Sequence, residues 1–282
     1  MARTPKAIAL GRALRRERDA HGLTLNKLAT EINRDTPTVS RWENGQRVPK
    51  PELVARILAT LGVDGERHDQ LMTLAYDVDR PQWFAGTEAE RREQVEAFLE
   101  LERRATSIVQ VSPLVLPGLL QIPSVVRDLT IARGGTDAAV EAKLDRQRVL
   151  TRSSPAKFTA LIGLPSLYHH IGGVGVTVQQ LEHLTTMSLR SHIEVLITPA
   201  NVGWHPGLEG GFTLIETTRT GPVVFIQTRL ASLWLHRTED VARYQRDIGV
   251  IRQLSLTRDS SLRLITTMAH HLRSTEQIPR AS

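Results

Sequence analysis

The segment from Leu23 to Val48 constrains this chain more than any other, because local chemistry alone writes two short helices and the turn between them. Thr24 is a residue type that caps a helix by accepting a backbone N–H. Leu25, Leu28, Ala29 and Ile32 follow at helical spacing. Asn33 comes next, a type that tolerates the left-handed conformation of a tight turn. Asp35 can cap the second helix, with Pro37 in its first turn, where a missing N–H is harmless. Val39 and Trp42 face inward, and Asn44-Gly45 ends the helix. Upstream, Ile8, Leu10 and Leu14 give a further helix one apolar face, with Arg12, Arg15, Arg16 and Arg18 around the other, and His21-Gly22 closes it. Beyond the rigid Val48-Pro49-Lys50-Pro51, the runs Leu53, Ile57, Leu58, Leu61 and His68, Leu71, Met72, Ala75 predict two more. Residues 1–77 read as an all-α domain of about five helices.

Two short helices set by a tight turn form a helix-turn-helix. In that arrangement the first helix crosses the phosphate backbone and the second enters the major groove. Ala29 is small where the two helices touch. The outer face of the second helix keeps Thr36, Pro37, Thr38, Ser40 and Arg41, the candidate base contacts. An arginine can donate two hydrogen bonds to a guanine edge, and threonine methyls can touch thymine.

The run Leu23-Thr-Leu-Asn-Lys-Leu-Ala29, then Thr36-Pro-Thr-Val-Ser-Arg-Trp-Glu-Asn-Gly45, resembles the XRE (Cro/CI-type) helix-turn-helix regulators. The resemblance implies that Glu43 pairs with Arg18, and that Asn44 and the residues just after it approach a phosphate. Candidate phosphate contacts are therefore Thr24, Lys27, Asn44, Gln46 and Arg47. Leu25 stands where that family often has a phosphate-touching Gln, and Asn33 where Gly is usual. The remainder is similar to the C-terminal domain of a large set of actinobacterial regulators, a domain of unknown function described as toxin–antitoxin-like. The matching stretches include Leu116-Pro-Gly-Leu-Leu-Gln121, Arg146-Gln-Arg-Val-Leu150, Gln180-Leu-Glu-His-Leu184 and His205-Pro-Gly207. That resemblance implies a small partner protein encoded by a neighbouring gene.

Charge points the same way. Residues 1–50 hold eleven Lys and Arg against five Asp and Glu, a surplus of +6, and the other 232 residues balance at 25 of each sign. Such an asymmetry predicts a polyanion-binding module joined to a neutral domain. Arg12, Arg15 and Arg16 divide evenly between phosphate contact and a solvated face.

The second half mixes element types. Short β-branched runs predict strands at 106–111, 157–162, 193–197, 212–216 and 223–227. Helical spacing predicts helices at 121–132, 138–150 and 178–189, and a long region at 238–272 broken near 255–260. Periodicity is lost over 77–93, and an amphipathic helix at 88–104 connects the halves. The expected organisation is a helix-turn-helix domain at 1–77 and a linker at 78–104. An α+β (α/β-like) domain at 105–274, for effector or partner binding and dimerisation, and a flexible tail at 275–282 complete it.

Several chemistries find no support. The chain has no cysteine, which removes disulfides, thiolate catalysis and Cys-based metal sites. Adjacent histidines, His169-His170 and His270-His271, point to different sides of an element. The glycine-rich Ile171–Val176 lacks the Lys-Ser/Thr of a phosphate loop. No hydrolase or metalloprotease motif is present. The expectation is a non-enzyme without metal or cofactor, placed in the cytoplasm with no membrane segment. It binds double-stranded operator DNA as a homodimer; the alternative is an antitoxin-like module that sequesters its small neighbour and regulates its own gene.

Overall fold

The computed structural model of the chain describes residues 4–276 apart from 81, 86, 219 and 230. They divide into two units. One takes in residues up to Arg104 together with Glu216–Val241, and the other Ala105–Ile215 together with residues from Ala242 onward. In chain order the elements begin with α1 (Pro5–Ala20), α2 (Leu25–Glu31), α3 (Thr36–Glu43), α4 (Pro51–Thr60) and α5 (Gly65–Tyr76). Next come β1 (Gln82–Ala85), α6 (Glu88–Arg103), β2 (Ala105–Ser112), α7 (Pro123–Ile131), α8 (Asp137–Asp145), β3 (Lys157–Gly163) and α9 (Val174–Ser188). The last are β4 (Ile193–Thr198), β5 (Phe212–Thr217), β6 (Val223–Gln227), β7 (Ser232–Leu235), α10 (Thr238–Leu254) and α11 (Arg258–Glu276). A helical start followed by mixed sheet and helices is the fold class that the sequence predicts. No helix among the described residues is long and apolar enough to cross a membrane.

In the first unit, five helices bury Leu10, Leu28, Ile32, Ile57, Leu58 and Leu71 almost completely. Thr4 starts α1: its Oγ1 accepts from the Ala7 N–H at 3.1 Å and donates to the Val78 carbonyl at 3.1 Å. The helix that the sequence places between the halves forms as α6. It opens with a reciprocal cap between Thr87 and Glu90 and packs along α1. Two strands that the sequence does not reveal, β1 and β7, pair antiparallel with Trp83 opposite Trp234, and β7 pairs antiparallel with β6, Phe225 opposite Trp234. Phe98 of α6 closes on this surface, with ring centroids 4.8 Å from Phe225 and 6.2 Å from Trp234. Such aromatic pairs add about 0.5–1.5 kcal/mol each beyond the area they bury.

In the second unit β2, β3 and β4 run parallel, in a register that aligns Ile108, Phe158 and Ile193, and β5 lies beside β2. Parallel strands need long crossovers; α7 and α8 make the first and α9 the second. Burial on both faces explains the unbroken apolar run Ala160–Ile162. The long C-terminal helical region breaks between Leu254 and Arg258 into α10 and α11, and α11 packs on α9 and β4. It extends to Glu276, and the rest of the expected tail lies outside the described residues.

β4 is the outer strand of its parallel set, so its far edge needs partners. The fully buried Ser261 supplies one: its Oγ accepts from the Ile197 N–H at 2.9 Å, while the Leu256 N–H donates to the Ile197 carbonyl at 2.8 Å. Ser261→Ala leaves a buried N–H without a partner. The expected cost is roughly 1–3 kcal/mol in urea unfolding followed by circular dichroism. An unchanged midpoint would show that this bond does not hold the edge.

Candidate nucleic-acid interface

The helix pair is built from its caps outward. Thr24 Oγ1 accepts from the Lys27 N–H at 3.2 Å and starts α2. Asn33 turns the chain with φ +54°. Asp35 Oδ1 then accepts from the Thr38 N–H at 2.7 Å, and its Oδ2 accepts from the Thr38 hydroxyl at 2.8 Å. Those bonds to the charged form hold the Asp35 carboxyl below its ordinary range. Leu28, Ala29, Ile32, Val39 and Trp42 are buried, so the inner faces of α2 and α3 are committed to the core.

Two contacts aim α3. The first is a bidentate ion pair: Arg18 of α1 donates from Nε to Glu43 Oε1 at 2.6 Å and from a terminal nitrogen to Glu43 Oε2 at 2.9 Å. Both residues are buried, and Arg18 also donates to the Leu23 carbonyl at 2.7 Å. The hydrogen bonds that Arg18 donates to Glu43 raise the guanidinium above its ordinary value. The second is a close approach of backbones. Gly11 of α1 sits against the C-terminal end of α3, and a Cβ there would lie 2.3 Å from the Trp42 carbonyl oxygen. Gly45, at φ +62°, meets α1 from the other side, where a Cβ would lie 2.8 Å from Ile8 Cα. The signal for Gly11 was present in the sequence: a glycine inside a helix costs about 1 kcal/mol against alanine, so it needs a packing reason.

The predicted base contacts lie together on the outer face of α3 in three different situations. Pro37 and Arg41 are exposed. Thr36 and Thr38 are half-buried with committed hydroxyls, Thr36 donating to Asn26 Oδ1 of α2 at 3.1 Å and Thr38 to Asp35. Ser40 is half-buried beside Asn44. Asn26, which the sequence did not single out, therefore couples the two helices. Among the predicted phosphate contacts, Thr24, Lys27, Gln46 and Arg47 are exposed, whereas the Asn44 amide donates back to the Ser40 carbonyl at 2.8 Å.

Arg12 and Arg16 have neither of the two fates expected of them. Both point to α6. Arg16 donates to Glu93 Oε1 at 2.7 Å and pairs with Glu96, and Arg12 pairs with Glu100. The balanced 232 residues conceal the cause, since residues 51–104 carry twelve acidic side chains against seven basic. The surplus positive charge left for a polyanion is therefore concentrated around α2 and α3. Among the described residues, no three His, Asp or Glu side chains are grouped as a metal site requires.

Comparison with known families finds two matches. Residues 9–71 match the model of a helix-turn-helix domain. Residues 95–267, more than half of the chain, match the model of a domain of unknown function, DUF5753, and the chain belongs to that family. No curated protein and no solved structure matches it. A helix-turn-helix domain marks a DNA-binding regulator.

Proposed function

We propose that this member of the DUF5753 family is a sequence-specific transcriptional regulator that reads operator DNA with α3 and binds as a homodimer. The observation that carries the reading is the outer face of α3. Its inner face is fixed by the buried Trp42 and Glu43, while Arg41 stands exposed, as do Lys27 of α2 and Arg47 just past the end of α3. Arg41 is the base reader, able to present a bidentate donor pair to guanine. Lys27 and Arg47 supply salt-sensitive attraction to phosphates. One such module reads only a few base pairs, so specificity calls for two copies on half-sites about 34–36 Å apart. In this reading the DUF5753 region holds the dimer and takes an effector or a small partner protein.

The test is a contrast between two variants on the site recovered by genome-wide mapping of bound DNA. Arg41→Ala is expected to cost about 1–3 kcal/mol on that site and little on random DNA. Lys27→Ala is expected to weaken both alike and to lower the salt slope by about 1. Equal losses for Arg41→Ala on specific and random DNA would remove its base-reading role.

A further inference from the structure

The loops that follow the parallel strands of the second unit carry almost no charge. β2, β3 and β4 end at Ser112, Gly163 and Thr198, in a register that places those ends side by side. The loops leaving them span residues 113–122, 164–173 and 199–211, and the last returns into β5. Close approaches tie them together. A Cβ on Gly163 would lie 2.3 Å from the Pro113 carbonyl oxygen, and one on Gly211 2.9 Å from that of Val111. Val115 and Leu116 of the first loop share a narrow crevice with Leu167 and Ile171 of the second. With His counted as neutral, Glu209 is the one charged residue among these 33, in a chain that is 23% charged.

The same loops leave four large apolar side chains open to water: Trp204 at 70% exposure, Leu114 and Leu208 at 60%, and Tyr168 at 59%. One exposed leucine means little. A charge-poor surface with exposed aromatics, however, has the composition of an interface core. Trp204 and Tyr168 alone leave roughly 200–300 Å² uncovered, and the two leucines add to it, against about 800 Å² per partner in a stable interface. DNA is not the partner, because phosphates call for cations. A two-fold interface brings the same patch of both copies together, so charge on it would oppose itself. A neutral apolar patch meets its own copy without that penalty. Pairing of two copies edge to edge through β4 is closed at Ile197, whose N–H and carbonyl are both taken.

We propose that these loops form the two-fold interface of the homodimer, with Trp204, Leu208, Tyr168 and Leu114 packed against a second copy of this chain. The inference rests on the dimeric reading given above and names the surface that holds the dimer. The full-length chain without DNA is followed by sedimentation velocity over a range of concentrations. The wild type is expected to dimerise with Kd below about 10 μM. Trp204→Glu and Leu208→Glu bring like charges together across the axis, and each is expected to raise Kd at least about 100-fold, with an unchanged far-ultraviolet circular dichroism spectrum. Leu189→Glu is the control: Leu189 is 69% exposed at the other end of α9, away from these loops, and its replacement is expected to leave Kd within about twofold. If Trp204→Glu fails to fold, Leu208→Glu decides. A dimer that survives both loop variants overturns this surface and leaves the dimeric reading standing. The same dimer accompanied by loss of a co-purifying small protein gives the surface to that partner and overturns the proposal. Equal loss in Leu189→Glu overturns the assignment to these loops. A wild type still monomeric at about 100 μM overturns the interface and the dimeric reading together.

Discussion

Glu43→Ala is expected to destabilise the helix-turn-helix by about 3–5 kcal/mol, the usual cost of removing one member of a buried ion pair. The reason lies in what stays behind. Arg18 is 7% exposed, and without Glu43 it keeps only Asp19 and the Leu23 carbonyl as partners, with Nε and one terminal nitrogen unpaired. Against a total stability of about 5–15 kcal/mol, that loss leaves α3 without a fixed orientation. A chain of two units need not unfold in one two-state step, so the measurement is the shift of whichever transition Glu43→Ala moves, followed by circular dichroism in urea. Salt should change the effect little, since a buried pair is poorly screened. The double replacement Arg18→Met with Glu43→Leu supplies the contrast. Removing both charges together is often neutral or stabilising, so it is expected to recover most of the loss. A Glu43→Ala chain within about 1 kcal/mol of wild type would mean that the pair does not hold α1 to α3.

What was legible in the sequence is what acts over a few residues. Thr24 and Asp35 cap the helices that begin beside them, and Asn33 turns the chain where it stands. The five strands predicted in the second half are runs of β-branched and apolar residues whose burial needs no knowledge of their neighbours. The features that stayed hidden depend on distant partners. β1 and β7 are four residues each, too short to show a period, and each is a strand because Trp83 lies opposite Trp234. The basic face of α1 shows its sign in the sequence but not its destination. Glu93, Glu96 and Glu100 recur at spacings of three and four and so share one face of α6, yet that face reads as solvated until α1 is laid along it. The candidate site was legible in the same proportion. Arg41 and Pro37 stand on the surface as their spacing implies, while the engagement of Thr36 with Asn26 could come only from the packing of α2 on α3.

Gly11→Ala reverses the sign that helix propensity alone assigns. Alanine is favoured over glycine inside a helix by about 1 kcal/mol, so the substitution would stabilise an isolated α1. Here the new Cβ would lie 2.3 Å from the Trp42 carbonyl oxygen, 2.8 Å from that of Glu43 and 2.9 Å from the Gly45 nitrogen. All three are backbone atoms, so no rotamer change relieves the contact, and only a displacement of α3 can. The expected result is a net loss of about 3 kcal/mol, at the upper end for overpacking. Specific DNA binding is expected to fall with it, because the element that must move carries Arg41. Gly45→Ala should act in the same direction from the opposite side, where the strain of φ +62° adds to a contact with Ile8. Moving α3 away also lengthens the Arg18–Glu43 bonds at the same interface, so Gly11→Ala combined with Glu43→Ala should cost less than the sum of the two. A Gly11→Ala chain as stable as wild type, with its specific affinity intact, would require that α1 and α3 do not approach this closely in solution, and the aim of α3 would then rest on the ion pair alone.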